Sequence, residues 1–158
     1  MALKNIQSAA FKNVFLRLEA QGASHPDGKG LGTVNCQFGA GPWEAFHIDA
    51  REDGSVTIRS NAFPDVYLRL DGKGVAYGQD NGGGVVNGQY KPAGSYEHFI
   101  LRPQADGTVA FESRAFPGLY LRMDGRDVTK STDGGSGHVN AQINVGPWEK
   151  FHIIDAAA

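Results

Sequence analysis

Apolar and polar residues alternate with a period of two in short segments along the whole chain. In Val14–Glu19, Leu16 and Leu18 are predicted to face one side of a strand, with the intervening aromatic, basic and acidic side chains on the other. Val66–Asp71 and Leu119–Asp124 repeat this pattern. Because no stretch has the periodicity of an amphipathic helix, the pattern predicts an all-β protein.

The alternating segments belong to three copies of one unit. A Leu-Arg-(Leu/Met)-(Asp/Glu) motif recurs around Arg17, Arg69 and Arg122, a period of about 52 residues. Further landmarks keep the same register: Asn35, Asn87 and Asn140; Gln37, Gln89 and Gln142; Glu44, Glu97 and Glu149; Phe46, Phe99 and Phe151. We therefore predict a single domain over residues 1–158, with repeats of approximately 1–50, 51–104 and 105–155.

Each copy contains four predicted strands. In repeat 1 they are Lys4–Ala10, Val14–Glu19, a third strand with the Val-Asn-x-Gln motif, and a fourth with Glu-x-Phe-x-Ile. The first strands of repeats 2 and 3 are Ser55–Ser60 and Thr108–Ser113. One copy cannot bury its own apolar face, so the three are expected to close on one another with pseudo-threefold symmetry. Twelve strands arranged in this way make a β-trefoil, a six-stranded barrel capped by three hairpins.

The predicted core comes from equivalent positions of the three copies. Its layers are Leu16, Leu68 and Leu121; Val34, Val86 and Val139; and Phe46, Phe99 and Phe151.

The composition narrows the classes of partner. A formal net charge of -2 does not favour binding to nucleic acid or to an anionic membrane, and no apolar run is long enough for membrane insertion. The first residues, Met1–Gln7, lack the apolar segment of a signal peptide, so a cytoplasmic location is expected, with non-classical secretion left open. The lone Cys36 cannot form an internal disulfide and aligns with Gly88 and Ala141, which predicts a small packing residue.

Two motifs carry a resemblance to known families. The Gly-Pro-Trp-Glu-x-Phe motif at Gly41–Phe46 and Gly146–Phe151, with an upstream Tyr-Leu-Arg-x-Asp, resembles the fascin-like and lectin-like branch of the β-trefoil superfamily. Ser113–Arg122 resembles the arabinose-binding trefoil modules attached to arabinofuranosidases. Those modules have a histidine after Tyr-Leu-Arg where Leu70 and Met123 stand here, so their site is not carried over. Trefoils include sugar binders, actin cross-linkers and protease inhibitors, so the resemblance implies the fold rather than one activity.

Candidate sugar-binding residues are polar side chains that recur in the second and third strands and in the long connection between them. Asparagine and glutamine supply donors and acceptors together, as a hydroxyl-rich ligand requires. The candidates are Glu19, Asn35, Gln37, Asp71, Tyr77, Asn87, Gln89, Asp124, Asn140 and Gln142. The alternative is that the amides satisfy the backbone of the long adjacent connection.

The aromatic residues Trp43, Tyr96 and Trp148 have two interpretations. They could stack on a sugar ring, but their place just before a core strand favours packing. The glutamates that follow them are expected to accept backbone hydrogen bonds or to pair with the repeated arginines.

Catalytic chemistry is not indicated. No Cys-His or Ser-His-Asp pattern is present, His47 and His152 are expected to point outward, and no metal site or cofactor is predicted. The sequence therefore predicts a non-enzymatic carbohydrate-binding protein with up to three related sites and a glycan as partner. The alternatives are a fascin-like module that binds actin or another protein, and a trefoil protease inhibitor.

Overall fold

The computed structural model describes residues 3–76 and 82–156. Within these ranges the chain forms twelve strands. They are β1 (Lys4–Ser8), β2 (Val14–Glu19), β3 (Thr33–Phe38), β4 (Phe46–Ala50), β5 (Val56–Ser60), β6 (Val66–Asp71), β7 (Val85–Tyr90), β8 (His98–Pro103), β9 (Val109–Ser113), β10 (Leu119–Asp124), β11 (His138–Ile143) and β12 (Phe151–Asp155). Single turns of 3-10 helix at Pro42–Glu44, Ser95–Glu97 and Pro147–Glu149 precede β4, β8 and β12.

The pairing of the strands closes a barrel. β1 pairs with β4 and β12, β5 pairs with β4 and β8, and β9 pairs with β8 and β12, all antiparallel. These six strands make a complete ring, which leaves no unpaired edge between repeats. The hairpins β2–β3, β6–β7 and β10–β11 cap it. The architecture is a β-trefoil with pseudo-threefold symmetry, as predicted.

The phenylalanine, leucine and valine layers predicted as the core are all buried. Phe46, Phe99 and Phe151 have no exposed surface and stand opposite the equivalent residues Lys4, Val56 and Val109. A further layer, Ile6, Ile58 and Phe111, is also fully buried on the first strands. The prediction of a shared core is confirmed, and the first strands add to it.

Strand boundaries differ from the predictions in all three repeats, and the first strands of repeats 2 and 3 begin one residue later than predicted, at Val56 and Val109. The first strand of repeat 1 ends at Ser8 and not at Ala10, because the Ser8 hydroxyl accepts the backbone N–H groups of Ala10 and Phe11 at 3.1 and 3.0 Å and turns the chain. The glutamate of the Glu-x-Phe motif lies in the 3-10 turn and not on the fourth strand. Its carboxylate accepts the N–H of the residue that precedes the turn, which ends the extended conformation there.

Candidate functional site

Each repeat buries its arginine beside its aromatic residue. Arg17 and Arg122 are 3% and 2% exposed, and each Cζ lies 4.8 Å from the ring centroid of Trp43 or Trp148. In repeat 2, Arg69 lies 5.2 Å from the Tyr96 centroid. A guanidinium at this distance from an aromatic face is a cation–π contact. One contact surface of each aromatic ring is therefore used within the fold.

The glutamates hold this cluster in place. The carboxylates of Glu44, Glu97 and Glu149 accept the backbone N–H of the glycine three residues earlier at 2.6 to 2.7 Å. Arg69 Nε lies 3.9 Å from Glu97 Oε2, and Arg122 Nε lies 4.0 Å from Glu149 Oε2. The predicted hydrogen bond to the backbone is confirmed in all three repeats, and the predicted pairing with the arginine is confirmed in repeats 2 and 3. Burial raises the pKa of all three carboxyls, against the backbone hydrogen bonds and the arginine charges, which lower it.

The repeated asparagines and glutamines bind backbone groups of a neighbouring repeat. Asn35 accepts from Arg17 Nη1 at 3.2 Å and donates to the carbonyl of Gly134 at 2.9 Å. Gln37 donates to the carbonyl of Thr132 at 2.6 Å and accepts the N–H of the same residue at 3.0 Å. These contacts join residues that are about a hundred positions apart in the sequence. Their donors and acceptors are engaged within the protein.

Repeat 2 has the same arrangement. Asn87 accepts from Arg69 at 3.2 Å and donates to the carbonyl of Lys29, and Gln89 exchanges two hydrogen bonds with the backbone of Asp27. In repeat 3, Asn140 accepts from Arg122 at 3.2 Å. Gln142 also has a partner.

The long connections therefore dock on a different repeat from their own. We call residues 20–32, residues 72–76 with 82–84, and residues 125–137 the docking loops of repeats 1, 2 and 3. The loop of repeat 1 makes a two-bond bridge from Leu31 to Gly88 in β7, and the loop of repeat 3 makes one from Ser136 to Cys36 in β3. Gly83 of the second loop bridges Ala141 in β11 in the same way. Tyr77, the remaining loop candidate, lies outside the described residues.

The acidic candidates begin the docking loops. Glu19, Asp71 and Asp124 each accept the backbone N–H of the residue two positions later, at 2.7, 3.0 and 3.1 Å. Asp124 also receives two hydrogen bonds from the Arg126 side chain at 3.1 and 2.9 Å. These bonds lower the pKa of Asp124, with burial acting in the opposite direction.

An open groove of about 1100 Å³ lies between repeats 3 and 1. We call it the seam groove. Its repeat-1 wall consists of Gln7, residues 10–14 and Phe38, and its repeat-3 wall consists of residues 124–129 with Gly137 and His138. Asp124 is the one sequence candidate that lines it. The sequence reasoning missed the repeat-1 wall, because the Phe11–Asn13 corner contains no recurring polar motif.

The seam groove combines apolar surface with free polar groups. Phe11, Phe38 and Val128 supply the apolar surface. Lys12 and the side chain of Asn13 form no hydrogen bond or ion pair with any residue in the two described ranges. The groove therefore offers a cation and an amide next to aromatic rings.

Cys36, His47 and His152 do not line the seam groove. Burial raises the pKa of the Cys36 thiol to about 12, and Cys36 faces Leu16 as the small residue that was predicted. His47 lies 3.0 Å from the Asn61 side-chain oxygen, and His152 is exposed. Among residues 3–76 and 82–156, no group of three or more histidine, cysteine or acidic side chains could hold a metal ion. No helix in those ranges is long and apolar enough to cross a membrane.

Neither a protein-family model nor a curated protein matches the sequence. Solved structures do match. They include the designed threefold-symmetric protein ThreeFoil, at 13% identity over 98% of this chain and 99% of that one, with a TM-score of 0.73. SeviL, solved bound to asialo-GM1 saccharide, matches at 13% identity over 99% of both chains with a TM-score of 0.67. A Polyporus squamosus lectin, solved with a sialylated influenza-binding epitope, matches at 18% identity over 98% of this chain with a TM-score of 0.65.

Some of these matches are to longer proteins. The chain spans 49% of the Polyporus squamosus lectin and 17% of a mosquitocidal holotoxin, which it matches at 11% identity over 99% of its own length with a TM-score of 0.76. At such identities the likeness shows the fold alone, and that fold is the β-trefoil.

Proposed function

We propose that this protein is a non-enzymatic, lectin-like β-trefoil that binds a glycan in the seam groove. The observation that carries the proposal is the groove itself, in which aromatic surface adjoins unpartnered polar side chains. Two of the structural neighbours, SeviL and the Polyporus squamosus lectin, were solved with saccharides, which supports a carbohydrate as the ligand. Binding to actin and inhibition of a protease have no comparable support among the described residues.

The chemistry of the groove suits a sugar. A pyranose presents C–H patches on its faces and hydroxyl groups around its rim, so it needs apolar contact together with donors and acceptors. Phe11 and Phe38 offer the apolar contact. Lys12, Asn13 and the Asp124–Arg126 pair offer the hydrogen-bond donors and acceptors. A volume of about 1100 Å³ would hold a short oligosaccharide.

Asp124 is suited to accept hydrogen bonds from a sugar and not to act as the general acid of a glycosidase. A glycosidase needs a carboxyl group whose pKa is raised enough to protonate the leaving group. The hydrogen bonds from Arg126 lower the pKa of Asp124 instead, so it stays a carboxylate and an acceptor for sugar hydroxyls. The other residues predicted from the sequence can bind a sugar only through polar atoms that their hydrogen bonds to the docking loops leave accessible.

A glycan array probed with the full chain tests the proposal, followed by calorimetric titration of the strongest hit. Lys12→Ala and Asn13→Gly should each weaken binding about tenfold or more, because each removes a polar contact to the ligand. Glycine is used at position 13 because Asn13 has φ of 61°, which glycine adopts without strain.

Lys29→Ala is the matched control, since Lys29 is an exposed lysine on the docking loop of repeat 1, away from the seam groove. An array without any signal would remove the lectin assignment. Unchanged affinity in both groove variants would show that the glycan binds outside the seam groove.

A further inference from the structure

We infer that the seam groove has a counterpart between repeats 1 and 2 that Tyr90, Asp65 and Lys91 keep closed, so that these two junctions provide one glycan site and not two. We call these three residues the latch. The inference rests on the proposed function and adds the number of sites and the residues that set it. The junction between repeats 2 and 3 adjoins residues 77–81, outside the described ranges, and is not part of it.

The two grooves occupy equivalent places around the pseudo-threefold axis. Phe63 takes the place of Phe11, Asp65 that of Asn13, and Tyr90 that of Phe38. The facing walls correspond too, because Ala20 and Ala23 stand where Gly125 and Val128 stand in the seam groove. The volumes nevertheless differ. The seam groove has about 1100 Å³, whereas the repeat 1–2 junction has a cavity of about 170 Å³ and a separate one of about 250 Å³ along residues 20–25 of the same loop.

The side chains of the latch account for part of this difference. The Tyr90 hydroxyl donates to Asp65 Oδ2 at 3.3 Å, and Lys91 Nζ lies 3.4 Å from Asp65 Oδ1. Asp65 and Tyr90 both line the repeat 1–2 groove, and Lys91 is tied to them through Asp65. Both carboxylate oxygens of Asp65 are thus engaged within the protein, whereas the Asn13 side chain in the equivalent place of the seam groove has no such partner among the described residues.

Repeat 1 has the same backbone contact without the latch. Gly39 N donates to the carbonyl of Asn13 at 2.9 Å, as Lys91 N donates to that of Asp65 at 2.7 Å. Phe38, however, has no hydroxyl, Asn13 has no charge and Gly39 has no side chain. The corner of the seam groove therefore stays open, and its amide stays free.

The test is a residue exchange between the two junctions. Asp65→Asn combined with Tyr90→Phe gives these two positions of the repeat 1–2 groove the side chains of the seam groove. Pro64 stays in the place of Lys12, so the weaker binding of the two is expected at this junction. The reverse exchange, Asn13→Asp with Phe38→Tyr, places the hydroxyl and the carboxylate in the seam groove. The latch groups are partly exposed, so their removal should leave the fold intact, which the dispersion of the NMR spectrum checks.

Galactose at millimolar concentration is the probe, followed by amide chemical shifts in heteronuclear NMR spectra. In the unaltered protein we expect shifts at Asn13 and Arg126 and none at Asp65 and Ala23. The opened variant should shift at both junctions. The reverse exchange should lose the shifts at the seam groove.

The outcomes separate the two proposals. Shifts at both junctions of the unaltered protein, or no second set in the opened variant, would overturn the latch while glycan binding stands. Absence of shifts at the seam groove of the unaltered protein, both with galactose and with the strongest hit of the glycan array, would overturn the proposed function and the latch together.

Discussion

Replacing Gly135 with alanine tests how tightly a docking loop packs on the neighbouring repeat. Gly135 has φ of 66°, and a Cβ atom there would lie 2.6 Å from Asn35 Oδ1 and 2.7 Å from both Arg17 Cδ and the Cys36 carbonyl oxygen. A Cβ atom at Gly30 would lie equally close to the Asn87 side chain. The recurrence of glycine at this loop position shows that docking needs the absence of a side chain.

Two contributions make up the expected loss of stability, one from the backbone conformation and one from overpacking. Left-handed backbone costs an alanine about 1–2 kcal/mol. Overpacking against groups that cannot move costs a further ~1–3 kcal/mol, because the Cys36 carbonyl belongs to β3 and Arg17 is buried. We therefore expect Gly135→Ala to lower the free energy of unfolding by about 2–5 kcal/mol, a large part of the stability of a typical domain.

Urea unfolding followed by tryptophan fluorescence measures this loss, with Gly54→Ala as the matched control. Gly54 has φ of 88°, but no described atom lies within 4 Å of the place that an alanine Cβ would take, so its variant carries the backbone cost alone. Equal destabilisation of the two variants, within about 0.5 kcal/mol, would refute the argument that the loop is tightly packed.

Three other outcomes are expected. Phe151→Ala should lower the free energy of unfolding by about 3–5 kcal/mol in the same assay, because the side chain is fully buried in the shared core. Hydrogen bonds from Ser55 and Thr108 lower the pKa of Asp53 and Asp106 to about 2, below the ordinary 3.8. Their stabilising contribution is present above about pH 4 and is lost as the pH falls through about 2. Thermal midpoints measured across this window should fall less steeply for Asp53→Asn. Cys36 should react with a thiol reagent only as the protein unfolds, because burial raises its pKa to about 12 and the thiolate is the reactive form. Rapid labelling of the folded protein would contradict this.

Much of the fold follows from spacing along the chain. Every position of the second strand was predicted in all three repeats, since the aliphatic residues of Val14–Glu19 and its equivalents recur at every second position. The core phenylalanines were predicted because equivalent residues of a closed, repeated unit must meet inside it. Local hydrophobic pattern and internal repetition were sufficient for these conclusions.

The site could not be predicted in the same way. The polar motif around Asn35 and Gln37 was visible, but its partner in the docking loop of repeat 3 was not, because the two segments are about a hundred residues apart and share no local signal. The glycine that recurs at positions 30, 82 and 135 was the available clue, since it marks a close approach of two backbones.

The sequence by itself therefore determined the repeat, the strands and the buried layers, because each depends on the residues within one copy. Only the tertiary structure decided which repeat receives each loop, why the recurring amides are engaged, and where an open groove lies. Those features depend on side chains from two different repeats. Repeat 1 has Phe38 at the position where repeat 2 has Tyr90. This one difference changes the hydrogen bonds at the groove and leaves the hydrophobic pattern that specifies the fold intact.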